Sequence, residues 1–590
     1  MRSTQTFGRA CSTLHLGPGT VARTLTGCVA VMALSAIPAR GQATSVPEPD
    51  PIAAGVRAAP GTYDTSLDVI HYDVELSLSD DTDWIAGTAR LRVRAEAAGA
   101  DELVLDFTGL AVEGVRVDGS EVQAVHRAGR LSVPLGRALA QTEEVVVEVS
   151  YRGTPDDGLI LRDNVHGRPS AFVDNWPNRA RFWLPSVDHP SDKATARITV
   201  HAPAEWEVIA NGRRVGQPYP TPPEDAADGP ETGPTRTWVY NTEVPHPSYT
   251  LVVGAAEMEI TPLGTAACGR APASSRADGC IEVTTWLFPE SVEAASPSFV
   301  RSMEMVDFFS DVLGPYPYEK LAHVQSSTRF GGMENSSAIF YDEEALAAGR
   351  NIEGTVSHEI VHQWFGDSVT PADWAHLWLS EGFATYFGSV FFEYADGEEA
   401  FRERMAGTAE GYLSSGDTLG VVVNTAATNL FDLLNRNSYQ KGGWVLHMLR
   451  GVVGDEAFFA AIREYYDRYQ NSVADSQDFQ RVVEEETGVE LDWFFEQWLH
   501  QPGYPVLGVD TAPSAADRGI RVTLSQLQGD YAPRFRLPLQ LEFRWGDESR
   551  RETIVLTGAR EDFVFDDVPA SAQVTVDPDG RVLKRLAAGS

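Results

Sequence analysis

From Tyr63 onward the chain alternates apolar and polar positions in short runs. HYDVELSLS, GTARLRVRAE, ELVLDF, GVRVDG and EVVVEVSY succeed one another across Gly/Asp turns, and ARITVHAP, WEVIANG, TWVYNT and YTLVVGAAEMEI continue the series. A period of two sends successive side chains to opposite faces, so these runs predict half-buried strands and an all-β region over residues 61–256. The insert PYPTPPEDAADGPETGPTR keeps no period and reads as a long polar hairpin loop. After a short β portion the period lengthens to that of a helix. SFVRSMEMVDFFSDVLG is amphipathic and GPYPYEKL breaks it; HVQSSTRFGGMEN reads as a β-like edge. Further helices are predicted over SYQKGGWVLHMLRGVV, EAFFAAIREYYDRY, SQDFQRVVEEETG and DWFFEQWLHQPG, giving a mainly helical region over 257–503. At YPVLGVD the period returns to two, and RVTLSQLQ, LPLQLEFRW, ETIVLTG and QVTVDP predict a small β-sandwich over 504–590. The whole is a multidomain α+β chain without internal repeats or a transmembrane helix.

Within the helical region, residues 356–386 read VSHEIVHQWFGDSVTPADWAHLWLSEGFATY. Residues i and i+4 of a helix differ by about 40° of rotation, so His358 and His362 project from one face, one turn apart. Two imidazoles so placed can hold one metal ion, and Glu359 is placed to reach a water on it. Val356, Ile360, Val361, Trp364 and Phe365 predict a buried helix, closed by a turn at Gly366-Asp367. A second helix is expected to open at Ser380 as N-cap, with Glu381 in its first turn and Phe383, Ala384, Phe387, Val390 and Phe391 as its core stripe. With only 13 histidines in 590 residues an H-E-x-x-H seldom arises by chance; the downstream Glu adds little alone, and further family-specific motifs along the chain complete the case for a zinc site.

Composition narrows the partners. A formal charge of −37 with 43% hydrophobic residues describes a globular, acidic protein, and argues against nucleic acid or anionic membrane as ligand. Arg2, Arg9 and Arg23 precede an apolar run from Leu25 to Pro38, with small residues through Ala43. This is the pattern of an export signal over 1–43, followed by a Pro/Ala-rich linker over 44–60. Loss of 1–43 removes four arginines and no acids, taking the charge from −37 to −41. Leu25–Cys28 resembles a lipoprotein processing site, but the apolar run follows Cys28 instead of preceding it. Cys11 and Cys28 fall in the signal, leaving Cys268 and Cys280 around a Gly/Ala/Ser-rich loop. In an exported protein that pair is expected to form a disulfide.

The sequence resembles the aminopeptidase N-like zinc peptidases, gluzincins that also include the leukotriene hydrolase. The resemblance rests on HYDVELSL and GTARLRV, WLPSVDHPSDKAT at 183–195, GPYPYEKL, GGMEN at 331–335, HEIVHQWFGDSVT with WLSEGFATY, SYQKGGWVLHMLR at 438–450 and WLHQPGYPVL at 498–507. It implies a β-saddle domain, a thermolysin-like catalytic domain and a β-sandwich. It also implies one zinc per chain on His358, His362 and Glu381, Glu359 as general base and then acid, and Tyr439 as donor to the oxyanion. Glu334 would hold a substrate α-ammonium, beside Gly331, Gly332, Met333 and Asn335. Three departures stand out. GGMEN replaces the family's GAMEN, Ser380 stands where Asn often precedes the Glu, and FVDNWPNRA carries Asp174 and Trp176 where the family supplies a Gln or Glu to the amine. Asp174 is the one candidate left for that role. The large helical cap that often follows in the family has no counterpart in this sequence.

The reading is an exported zinc aminopeptidase acting on peptides with a free N-terminus, with no nucleic-acid partner and no stable membrane insertion. A thermolysin-type endopeptidase shares the zinc motif but needs no amine anchor. An inactive peptide-binding module is the third reading; intact Glu359 and Tyr439 argue against it. Phe330 is a candidate to edge the pocket for the first side chain, but an aromatic strand residue is more often plain core; His376, His447 and His500 are expected to be structural.

Overall fold

The computed structural model describes residues 66–222, 233–514 and 519–587. The signal and linker, and the centre of the polar insert, lie outside the described residues. Strand β1 (Leu67–Ser77) and strand β2 (Ile85–Ala95) bury Val69, Tyr72, Val74, Leu76, Ala89, Leu91 and Val93, as their alternation dictates. They pair antiparallel in a ten-stranded sheet. β2 continues to β3 (Glu144–Gly153), and β1 runs parallel to β4 (Lys193–Pro203), which β5 (Thr235–Asn241) flanks. A second sheet of four strands includes Pro169–Val173, which delivers the chain to Asp174 and Trp176.

A five-stranded sheet follows. β6 (Glu259–Ala266) and β7 (Ile281–Leu287) form a hairpin; β8 (Leu321–Ser326) and β10 (Ala338–Asp342) add parallel to it. The two-residue β9 (Gly332–Met333) pairs antiparallel with β10 at the sheet's edge. HVQSSTRFGGMEN is therefore two elements rather than one edge: its start, HVQS, is the buried end of interior strand β8, and only Gly332–Met333 lies at the rim. Helix α1 (Ser302–Val312) packs against helix α2 (Glu353–His362), which crosses helix α3 (Trp378–Asp396); helix α4 (Gly442–Val453) packs on α3 in turn. The β-rich start is stitched to this part by half-buried Lys193, whose Nζ donates to Asp367 O at 2.8 Å, Ser368 O at 2.7 Å and Thr370 Oγ1 at 2.9 Å. Burial pulls that ammonium down to about 7.

The final strands, among them Val506–Pro513, Ile520–Gln526 and Leu537–Trp545, form a four-stranded and a three-stranded sheet. They have no separate interior. Leu507, Ile520, Leu537 and Leu541 belong to the same buried cluster as Val356, Phe383 and Trp498. Gln497 fixes the junction by accepting from Arg536 N–H at 2.9 Å and donating to Arg536 O at 3.1 Å. No helix among the described residues is long and apolar enough to cross a membrane.

Cys268 and Cys280 are joined across the β6–β7 connection, with Cα atoms 3.8 Å apart. Closing so short a loop stabilises by roughly 3 kcal/mol in the chain-entropy account. In natively recovered protein neither thiol is expected to react with an alkylating agent until reduction, and Cys268→Ser with Cys280→Ser to lower stability by about that amount. Two thiols that label freely without reductant would contradict the pairing.

Candidate metal centre and active site

Two helix crossings bring the chemistry together. His358 and His362 share the face of α2 that meets α3, while Val356, Ile360 and Val361 anchor the opposite side in the core. α3 begins at Trp378, two residues earlier than the sequence suggested, so Ser380 is not its N-cap. Ser380 lies in the first turn with its Oγ 3.0 Å from His362 Nδ1, and Glu381 follows, aimed at both imidazoles. The tertiary contact to His362 took the serine that local capping chemistry would have used.

His358 Nε2 and His362 Nε2 lie 3.1 Å apart, and Glu381 Oε2 lies 3.2 and 3.3 Å from them. A tetrahedral ion with bonds of about 2.0–2.1 Å separates its ligand atoms by about 3.3 Å, so this triangle has the size of one face of a zinc site. His362 Nδ1 donates to Phe365 O at 3.1 Å; a carbonyl only accepts, so a proton sits on Nδ1 and Nε2 is the nitrogen turned toward His358 and Glu381. His358, His362 and Glu381 thus fit a zinc ion by donor type, spacing and tautomer.

Charge points the same way. Glu334, Glu359 and Glu381 are all buried around these imidazoles. Burial would raise the Glu381 carboxyl, but His362 and His358 override it and hold it far below its ordinary range. Burial, with Glu334 and Glu381 adding to it, lifts Glu359 well above its ordinary value. Glu334 is pushed up to about 7, chiefly by burial and then by Glu381 and Asp174, against His362. Burial opposes charge on His362, yet the three glutamates carry it up to about 10. The carboxylates outnumber the positive charges near them, and a divalent ion on the Nε2 side would balance them.

These groups line a cavity of about 190 Å³ together with Gly331, Gly332, Met333, Trp176, Phe330, Leu434 and Tyr439. Gly332 gives Glu359 its room there: a Cβ would come 2.1 Å from Glu359 Oε1, and the carboxylate would have to shift. Tyr439 sits in a π-helical turn, Asn437–Lys441, just before α4, and its hydroxyl donates to Glu381 Oε1 at 2.7 Å. The turn comes this close because Gly382 and Gly442 meet backbone to backbone; a Cβ on Gly382 would lie 2.8 Å from Gly442 C. Trp176 closes the opposite side in edge contacts with Phe330, Trp374 and Phe431.

Two expected substrate contacts stand elsewhere. Asp174 is buried and does not line the cavity: Oδ1 accepts from Arg179 at 2.7 Å and Oδ2 from Arg329 Nε at 3.1 Å, while both arginines also bind Asp157. It ties the Trp176 segment to the Phe330 segment. Asn335 is likewise buried and off the cavity wall. His376 pairs with Ser476 Oγ at 2.8 Å and His447 Nε2 with Gly580 O at 3.2 Å; neither they nor His500 line the site. The sequence reading missed Gln363, wholly buried next to His362, which binds Glu334 O, Asp367 Oδ2 and Ser337 N. No spacing rule flags a lone glutamine; its position beside the second histidine was the available signal.

Comparison with known proteins agrees with this geometry. Residues 69–249 match the model of the peptidase M1 N-terminal domain, and residues 298–498 that of the peptidase family M1 domain. The chain is 28% identical over 359 residues to glutamyl aminopeptidase of Sus scrofa, an alignment covering 58% of this chain and 35% of that one. It is 24% identical over 545 residues to probable aminopeptidase 1 of Sulfurisphaera tokodaii, covering 88% and 62%. The chain thus spans less than two thirds of the length of these curated relatives. A crystal structure of an M1 zinc metallopeptidase from Deinococcus radiodurans aligns with a TM-score of 0.61 at 27% identity, over 73% of this chain and 93% of that one. Legionella pneumophila aminopeptidase A, at 16% identity and a TM-score of 0.75 over 89% of this chain and 60% of that one, shares the fold. With His358, His362 and Glu381 all inside the second matched region, the chain belongs to peptidase family M1, the family of these zinc metallopeptidases.

Proposed function

We propose that this chain is an exported zinc aminopeptidase, holding one zinc per chain and hydrolysing the first bond of peptides with a free N-terminus. The observation that carries the reading is the placement of Glu334 in the same small cavity as the His358–His362–Glu381 face. A carboxylate there attracts an α-ammonium, and an ammonium held so close leaves only the first peptide bond over the metal face. At about 190 Å³ the cavity falls short of the roughly 300–1,000 Å³ typical of drug-sized ligands. Trp176, Phe330, Met333 and Leu434 wall it, which suits one apolar side chain and does not suit the extended chain an endopeptidase must admit. A mutant of the Deinococcus radiodurans M1 zinc metallopeptidase, 26% identical, has been solved bound to a Tyr-Ser-Ala substrate.

Zinc, when bound, supplies a Lewis acid that polarises the scissile carbonyl and brings the pKa of water toward about 7. The chain does the rest. Glu359, its basicity raised by burial, takes the proton of the attacking water and returns it to the departing amine nitrogen. Tyr439, kept protonated by burial and Glu381, swings its hydroxyl donor from Glu381 to the oxyanion developing on the substrate.

His362→Ala is expected to abolish zinc binding and activity together. Glu359→Gln should keep zinc by elemental analysis while kcat drops by about 10² to 10⁴. Tyr439→Phe should lower kcat by about 10² to 10³ with zinc retained. Near-normal turnover by any of the three would mean that residue has been assigned the wrong role.

A charge-assisted hydrogen bond to an ammonium contributes about 1.5–3 kcal/mol, so Glu334→Ala should cost roughly 10- to 150-fold in kcat/KM on free-amine substrates without loss of zinc. Efficient internal cleavage of N-acetylated peptides by the wild type would favour the endopeptidase instead. For export, N-terminal sequencing of the mature protein is expected to begin near residues 42–44. An uncleaved chain found only inside the cell would count against that part of the proposal.

A further inference from the structure

Glu334 begins a four-residue segment, 334–337, that joins the two-residue β9 to β10. So short a strand cannot hold a carboxylate in register with a metal face, and Ser337 has a left-handed φ of 64° that its own preferences disfavour. Other groups hold the segment. Gln363 caps the C-terminus of α2, directly after His362, is fully buried and does not line the cavity. Its Nε2 donates to Glu334 O at 3.0 Å and to Asp367 Oδ2 at 2.9 Å, and its Oε1 accepts from Ser337 N at 2.7 Å. Both ends of the segment are thereby tied to the residue bonded to a metal-site histidine. From the β-rich part of the chain, Asn211 Nδ2 donates to Ser336 O at 2.9 Å and Gly212 N to Ser337 Oγ at 3.0 Å.

We infer that Gln363 is a positioning residue that fixes the Glu334 carboxylate relative to the metal face, and so sets the requirement for a free α-ammonium. The inference rests on the aminopeptidase reading above. A tether of this kind matters because a displacement of about 1 Å can cost about 10²-fold when a group must meet a reacting centre. It acts on one part of the substrate only. Loosening it harms recognition of the amine and spares chemistry at the carbonyl, whereas general loosening of the fold harms both.

The test compares leucine p-nitroanilide with its des-amino analogue, 4-methylpentanoyl p-nitroanilide, on full-length, zinc-loaded wild type, Gln363→Met and Gln363→Glu. Gln363→Glu keeps the size and the acceptor for Ser337 N but loses both donors, and so serves if Gln363→Met does not fold. In the variants the ratio of kcat/KM for the two substrates should fall by about tenfold or more, with the des-amino rate and the zinc content close to wild type. An unchanged ratio, whether both rates fall together or neither moves, overturns the positioning role. A wild-type ratio near one would instead overturn the aminopeptidase reading and take the positioning role with it.

Discussion

The structure depends on holding three ligand atoms about 3 Å apart inside a cavity crowded with carboxylates. His358 and His362 come from one turn of α2 and Glu381 from the first turn of α3, so the crossing of two helices sets the triangle. Glu334, Glu359 and Glu381 share that space, and burial makes their mutual repulsion expensive. A divalent ion would relieve it, and until one binds the apolar packing around α2 and α3 works against that electrostatic cost. Small residues serve the same end: Gly332 lets the rim strand approach Glu359, and the Gly382–Gly442 contact lets Tyr439 reach Glu381.

The β-rich start of the chain belongs to the site as much as the helices do. Trp176 walls the cavity from that side, and Asp174 and Asp157 with Arg179 and Arg329 lock its segment to Phe330. Asn211 and Lys193 grip the 334–337 segment and the turn after α2. The terminal strands contribute differently: they share one core with the helices, and so brace α4 and its Tyr439 turn without touching the chemistry.

Much of this was legible beforehand because helix geometry converts spacing directly into direction. His358, Glu359 and His362 needed only the 3.6-residue turn, and the alternating runs gave the strands of the first and last regions. The failures were tertiary. Ser380 has the chemistry of an N-cap, but α3 starts at Trp378 and the hydroxyl faces His362. Asp174 holds the sequence position nearest a family amine anchor, yet Arg179 and Arg329 occupy both its oxygens. HVQSSTRFGGMEN looked like one edge because β-propensity does not say which strand will be covered. Gln363 offered only its place beside His362 as a signal, because its partners Glu334, Ser337, Asp367 and Tyr316 are brought together only by folding.

The most direct measurement is diffraction at the zinc absorption edge from crystals of the mature protein soaked with free leucine. One anomalous peak is expected, about 2.0–2.2 Å from His358 Nε2, His362 Nε2 and Glu381 Oε2, with the leucine ammonium within hydrogen-bonding reach of Glu334. A peak away from that triangle, or a leucine whose amine turns away from Glu334, would contradict the coupling of metal face and amine anchor.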